Sequence, residues 1–308
     1  MAHKTLRLGT RGSALALWQA NTVRDLILRA HPDITVELVI AESPGDKDLT
    51  TPLAAMGGTG VFVKHLESEL LAGKVDLAVH SAKDLPAANP PGLDLAAVPE
   101  RGVVNDALIL RDHIRLSDLP EGSLIGTSSP RRVASLKRIR PDLKTTSIRG
   151  NVETRIRKVD EGTVDATLLA WVGVRRLGLA WRIDDVFSLD QILPAAQQAI
   201  VAVQIREDDK HTRALLEPTN HNPTWQCLMA ERALLRNLNA GCHAALGALA
   251  RWYGQEGMRM NARVMSLDGS DLAEAFSSIE SGQDPQVLAD RVAEDLLKQG
   301  AETLLNVD

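Results

Sequence analysis

Two stretches of this chain, residues 1–100 and 124–170, alternate short apolar strand-like runs with amphipathic helix-like runs, and that order leaves few folds open. In the first, Leu6-Arg7-Leu8 reads as a strand, Ser13 to Ala30 as an amphipathic helix, and Ile34 to Ile40 as a strand with apolar residues at alternate positions. Val61 to Leu71 reads as a second helix, and Val75 to Val79 as an apolar strand running into His80-Ser81-Ala82-Lys83-Asp84. In the second, Leu124-Ile125-Gly126 feeds Thr127-Ser128-Ser129-Pro130, where Ser129 suits a helix N-cap and Pro130 its first position. Val133 to Ile139 continues that helix, and Thr145 to Ile148, Val152 to Glu161 and Ala166 to Ala170 read as strand, helix and buried strand. The repeated order predicts two α/β domains, each with its ligand edge at the C-terminal ends of the strands.

The last part of the chain differs in pattern and charge. Thr224 to Asn237 predicts a helix behind Pro223, Asn239-Ala240-Gly241-Cys242-His243 a turn, Met258 to Met265 an alternating strand, and Pro285 to Leu305 one amphipathic helix. From Val264 to Asp308 there are 10 acidic and 2 basic residues, and the segment reads as a small α+β third domain. No low-complexity linker separates the three blocks, which predicts that they pack together.

Charge narrows the ligand. The 308-residue chain carries 35 Lys and Arg against 40 Asp and Glu, yet Gly126 to Arg176 holds 12 basic residues against 5 acidic ones. A basic island in an acidic protein is the footprint of an anion, and Arg grips carboxylates or phosphates bidentately. Arg11, Arg131, Arg132, Arg149, Arg155 and Arg176 fall at or near expected strand ends and helix starts, where side chains can converge; the alternative is a solvated basic face. For Arg131-Arg132 the anion reading is favoured, because two cations at a helix N-terminus oppose its dipole unless an anion joins them. Aromatic residues make up 3% of the chain, which with the net charge of −5 argues against a nucleic-acid partner. No apolar run spans a bilayer, and Met1 to Thr5 leads into a strand rather than a signal-peptide core, so the cytoplasm is the expected compartment. Two cysteines make no disulfide framework, and no Cys/His spacing suggests a metal site.

Asp84, just past a strand and beside Lys83, either caps a turn or remains ionised to stabilise a developing cation. Cys227 reads as a small core residue inside a helix, whereas Cys242, in a Gly-containing turn, is the candidate nucleophile or attachment point. Gly57-Gly58-Thr59-Gly60 lacks the Lys-Ser/Thr ending of a phosphate loop and reads as a mobile loop.

Taken together, Arg11-Gly12-Ser13 with Leu17-Trp18-Gln19, Ala78 to Asp84, Gly126 to Arg132, Arg149 to Arg155, Arg175-Arg176-Leu177-Gly178 and Gly241-Cys242 resemble the porphobilinogen deaminase (hydroxymethylbilane synthase) family, in order along nearly the whole chain. The resemblance implies a tetrapyrrole-pathway transferase of heme biosynthesis that condenses four porphobilinogen molecules into linear hydroxymethylbilane and releases ammonia at each condensation. It implies a dipyrromethane cofactor on a thioether to Cys242, no metal, no nucleic-acid or membrane partner, and a monomer. The implied fold is two α/β domains of periplasmic-binding-protein type, residues 1–99 with 200–217 and residues 100–199, plus an α+β cofactor-carrying domain, residues 218–308.

By the same resemblance, Asp84 is the catalytic carboxylate. Ser81, Lys83, Thr127, Ser128, Ser129, Arg131 and Arg132 would hold the cofactor's carboxylates. Arg11, Arg149, Arg155 and Arg176, supported by Ser13, Gln19, Phe62 and Gln198, would hold substrate and the growing chain. The chain departs from the family pattern at Pro44, at Thr59, at Ala196-Gln197-Gln198-Ala199 and around Cys242. Gln197 and Ala199 stand where the family carries glycine, so they are expected to resist glycine-like backbone angles. That leaves an alternative, a catalytically impaired pyrrole-binding or polycarboxylate-binding protein of the same fold.

Overall fold

The computed structural model describes residues 5–41, 60–241 and 244–305, and the chain divides into two compact units. Unit 1 comprises Met1–Gly102 and Ala199–Trp225; unit 2 comprises Val103–Gln198 and Gln226–Asp308.

Unit 1 is built on β1 (Thr5–Thr10), β2 (Thr35–Ile40), β3 (Leu77–Ser81), β4 (Leu93–Ala97) and the late strand β10 (Val201–Arg206), in spatial order β2-β1-β3-β10-β4. β1 pairs parallel with β2 and β3, while β10 runs antiparallel to β3 and β4. Helix α1 (Ala14–Ala30) is capped by Ser13, whose side chain accepts from the Ala16 amide, and turns Ala20, Val23 and Ile27 inward at helical spacing. These side chains pack with Leu6, Leu8, Leu77, Val79 and Val203 into one core. Helix α2 (Gly60–Leu71) adds buried Leu66 and Leu70 to a second cluster with Val75 and Ala78.

Unit 2 repeats the pattern. Its strands β5 (Asp106–Leu110), β6 (Leu124–Gly126), β7 (Lys144–Thr146), β8 (Ala166–Ala170) and β9 (Asp185–Val186) lie in the order β7-β6-β8-β5-β9. Four strands again run one way and one is reversed, with β5 in the place that β10 takes in unit 1. Helix α3 (Pro130–Ile139) follows β6, with Ser129 as N-cap and Pro130 at its first position as expected; α4 (Val152–Asp160) is capped by Asn151, and α5 (Trp171–Arg176) follows β8. Gly150 precedes that cap at φ +117°, and a Cβ there would come within 2.5 Å of Thr154, so the turn into α4 requires glycine.

The rest of unit 2 is an antiparallel meander, β11 (Ala245–Trp252), β12 (Met258–Met265) and β13 (Leu272–Ile279). Helix α6 (Lys210–Leu216) belongs to unit 1 and precedes α7 (Asn222–Asn237), whose buried Cys227, Ala230 and Leu234 share a core with the meander. Leu288, Val292 and Leu296 of α8 (Pro285–Lys298) fill the same core. The single helix expected over Pro285 to Leu305 is instead two, α8 and α9 (Ala301–Leu305), broken at Gly300, which adopts φ +84°. Gly247 in β11 lies against the 193–194 backbone, where a Cβ would stand 2.8 Å from the Leu193 carbonyl oxygen.

Candidate active site

Because β1 and β3 run parallel, the residues that follow them lie at one edge of the unit 1 sheet. Arg11 and Ser13 follow β1; Ser81 closes β3, and Lys83 and Asp84 sit in the 3-10 turn behind it. β3 extends two residues beyond the expected Val79, taking in His80 and Ser81. Gln19, buried on α1, donates from Nε2 to Ser81 Oγ at 2.8 Å and so ties the helix to this edge. Lys83 and Asp84 are exposed, which leaves the Asp84 carboxylate accessible to a ligand. His80 is buried; burial first and then the Arg11 charge pull its imidazole down to about 4, against a partial offset from Gln204, so it is neutral at neutral pH.

In unit 2 the equivalent edge holds the Thr127-Ser128-Ser129 turn after β6. The Ser128 hydroxyl donates to the Ile148 carbonyl at 2.8 Å and lies 2.7 Å from Ser147 Oγ, and the Ser129 hydroxyl caps α3. Arg131 and Arg132 turn back from α3 onto a carboxylate outside the expected site residues, that of Asp106 at the start of β5. Arg131 Nη2 donates to Asp106 Oδ2 at 2.8 Å; Arg132 donates from Nε to Oδ2 at 3.2 Å and from Nη2 to Oδ1 at 2.8 Å. Their remaining Nη groups reach the carbonyls of Leu193 and Leu168.

All three side chains are buried. Burial alone would push Asp106 up, but the Arg131 and Arg132 charges outweigh it and hold the carboxyl far below the usual carboxylate range. The anion expected at this helix start is thus supplied in part by the chain itself. Two guanidinium groups share one carboxylate, which leaves one surplus positive charge, and Arg131 Nε is buried with no hydrogen-bond partner among the described residues. A sequence signal for Asp106 existed, a lone carboxylate opening the apolar run Ala107-Leu108-Ile109-Leu110.

Gln198 joins the same cluster, donating from Nε2 to Asp106 Oδ1 at 3.0 Å and to the Val104 carbonyl at 2.7 Å. Its neighbours correct the expectation for the crossover: Gln197 and Ala199 adopt φ +66° and +71°, the left-handed angles that glycine reaches most easily. Glu231, fully buried on α7, accepts the Gln197 amide and, at 2.8 Å, that of Ala250, which helps hold the Gln197 turn in place. Arg155 donates from Nε to the Gly150 carbonyl at 2.9 Å, Arg149 sits in the preceding turn, and burial pulls Arg176, at the end of α5, down to about 10, so it is charged at neutral pH. The structure therefore brings Arg131, Arg132 and Gln198 together on Asp106, and Gln19 together with Ser81. Cys242, Pro44, Thr59 and the Phe62 side chain lie outside what the structure describes. Among the described residues no group of His, Cys, Asp and Glu could hold a metal ion, and no helix is long and apolar enough to cross a membrane.

Residues 6–214 match the family model described as porphobilinogen deaminase, dipyromethane cofactor binding domain, and residues 225–298 match porphobilinogen deaminase, C-terminal domain. The chain belongs to the porphobilinogen deaminase family. Within that family it is 43% identical to the porphobilinogen deaminase of Syntrophomonas wolfei over 98% of both chains. It is 45% identical to that of Gloeobacter violaceus over 98% of this chain and 93% of the relative. Among solved structures, the methionine-binding protein MetQ aligns with 74% of this chain and 93% of its own at 14% identity and a TM-score of 0.45.

Proposed function

We propose that this chain condenses four porphobilinogen molecules head to tail, releasing ammonia at each condensation, and frees the product as linear hydroxymethylbilane by adding one water, as a monomer in the cytoplasm. The observation that carries this reading is the surplus guanidinium charge at the β6–α3 edge in a chain of this family. Each porphobilinogen brings two carboxylates, so a growing chain demands more positive charge than its protein neighbours neutralise.

The donor set fits a dipyrromethane carrying acid side chains: the buried Arg131 Nε, which has no partner among the described residues, can give its N–H to a carboxylate, and Ser128 stands exposed in the turn before α3. Arg131, Arg132, Lys83, Ser81, Thr127, Ser128 and Ser129 would hold this group, with Cys242 as its attachment point. When bound, it supplies the pyrrole end from which the product is extended. Arg11, Arg149, Arg155 and Arg176 would take the carboxylates of incoming and added units, with Ser13, Gln19, Phe62 and Gln198 in support. As the aminomethyl C–N bond of porphobilinogen breaks and its electron pair leaves with ammonia, positive charge spreads onto the pyrrole nitrogen. The Asp84 carboxylate stabilises that charge, and does so again as the new C–C bond forms. We assign the cofactor-carrying domain to residues 218–308. Gln197 and Ala199 adopt glycine-like angles, so the lost glycines do not by themselves favour the alternative of an impaired binding protein of the same fold.

Intact mass before and after Cys242→Ser, alongside the colour reaction for bound pyrroles, tests this reading. The expected result is an added mass of two linked pyrrole units that disappears in the variant. A wild-type chain that stays unmodified after incubation with porphobilinogen or preformed hydroxymethylbilane contradicts it.

A further inference from the structure

Asp106 accepts four hydrogen bonds, two on each oxygen: Arg131 Nη2 and Arg132 Nε on Oδ2, Arg132 Nη2 and Gln198 Nε2 on Oδ1. That fills the capacity of a carboxylate and fixes both guanidinium planes at once. Folding alone does not require such a group here. In the unit 2 sheet Asp106 opens β5 opposite Ala170, the last residue of β8. In the unit 1 sheet the matching position, opening β10 opposite the last residue of β3, is Val201, buried and apolar. The same strand order therefore forms with an aliphatic side chain at this point, and a buried ion cluster commonly gives no more stability than well-packed apolar groups.

Resting on the function proposed above, we propose that Asp106 is a positioning residue of this deaminase: it aims Arg131 and Arg132, cancels one of their two charges so that the other draws in a pyrrole carboxylate, and ties the pair to the crossover through Gln198. Removing the carboxylate would leave two like charges side by side with nothing to set their planes. Moving it outward by one methylene would keep the charge but shift the aim.

The test compares wild type, Asp106→Asn and Asp106→Glu. Folding is followed by circular dichroism and thermal midpoint, and the rate of dipyrromethane attachment by intact mass after addition of hydroxymethylbilane. Among folded chains, attachment should slow by about tenfold or more in Asp106→Asn, the loss expected for a charge-assisted hydrogen bond, with Asp106→Glu in between. In an Arg131→Gln background the further loss from Asp106→Glu should shrink, because the carboxylate acts through that guanidinium. Should Asp106→Asn not fold, Asp106→Glu decides alone. Folded variants that load at the wild-type rate, whatever their thermal midpoints, overturn the proposal and leave Asp106 a structural residue. A wild-type chain that carries no pyrrole mass, either as purified or after hydroxymethylbilane, overturns the functional reading itself, and with it the role given to Asp106.

Discussion

The two five-stranded sheets share one strand order but treat charge at their ligand edges in opposite ways. In unit 1 the edge carries an exposed carboxylate, Asp84, above a buried and neutral His80 and the apolar Val201. In unit 2 the corresponding edge carries two buried cations that share a buried anion at the position matching Val201. One sheet leaves its carboxylate to solvent, whereas the other holds its guanidinium groups in a preset arrangement with a surplus positive charge. Topology sets where an edge lies, while one residue at a matched register position decides what charge that edge can hold.

The largest effect that would sharpen this contrast is at the matched positions themselves. Asp106→Ala leaves two buried guanidinium groups without their carboxylate and should lower stability by about 3–5 kcal/mol. Val201→Ala removes only two methyl groups and should cost about 2 kcal/mol. Urea unfolding measures both, and equal losses would break the comparison.

Acid should separate the two units next. The folded-state value for His80 lies near 4, below the 6.5 of a free imidazole, so between those values the unfolded chain binds a proton that the folded chain does not. The stability His80 contributes is complete above pH 6.5 and is lost as pH falls toward 4, up to about 3 kcal/mol. Asp106 is displaced in the same direction but from a lower starting point, so its contribution holds until pH falls below the ordinary carboxylate range near 4. Hydrogen exchange across pH 7 to 4 should therefore show protection lost first in β3 and β10, later in β5 and β8. His80→Gln should remove the early loss, and simultaneous loss in both sheets would contradict the contrast.

The smallest effect concerns the crossover. Ala199 at φ +71° pays the left-handed penalty, so Ala199→Gly should stabilise the chain by about 1 kcal/mol. Destabilisation on that change would mean that the Ala199 side chain contributes more packing than its backbone angle costs.

The elements that the sequence exposed clearly were those with local signals. Ser129-Pro130 starts α3 where cap chemistry says it should, and the apolar faces of α1 and α8 follow helical spacing. Less legible were features set by partners distant in sequence. β10 completes the unit 1 sheet from beyond residue 200, and nothing in its own pattern names β3 and β4 as neighbours. Arg131 and Arg132 announced an anion, but Asp106 lies 25 residues from Arg131 and meets it only through the sheet. The backbone angles at Gln197 and Ala199 were expected to be refused because local preference disfavours them. Tertiary contacts, such as the Glu231 carboxylate on the Gln197 amide, outweigh that preference.

The most direct test of the account combines Asp84→Asn with two readouts on the same purified chain, attached pyrrole mass and ammonia release from porphobilinogen. The account predicts a folded chain that carries the mass of two linked pyrrole units on Cys242, because the carboxylate-binding edge is untouched. It predicts ammonia release lower by about 10²–10³-fold or more, the loss expected when a charge aimed at the transition state is removed. Wild-type ammonia release from a loaded Asp84→Asn chain would contradict it.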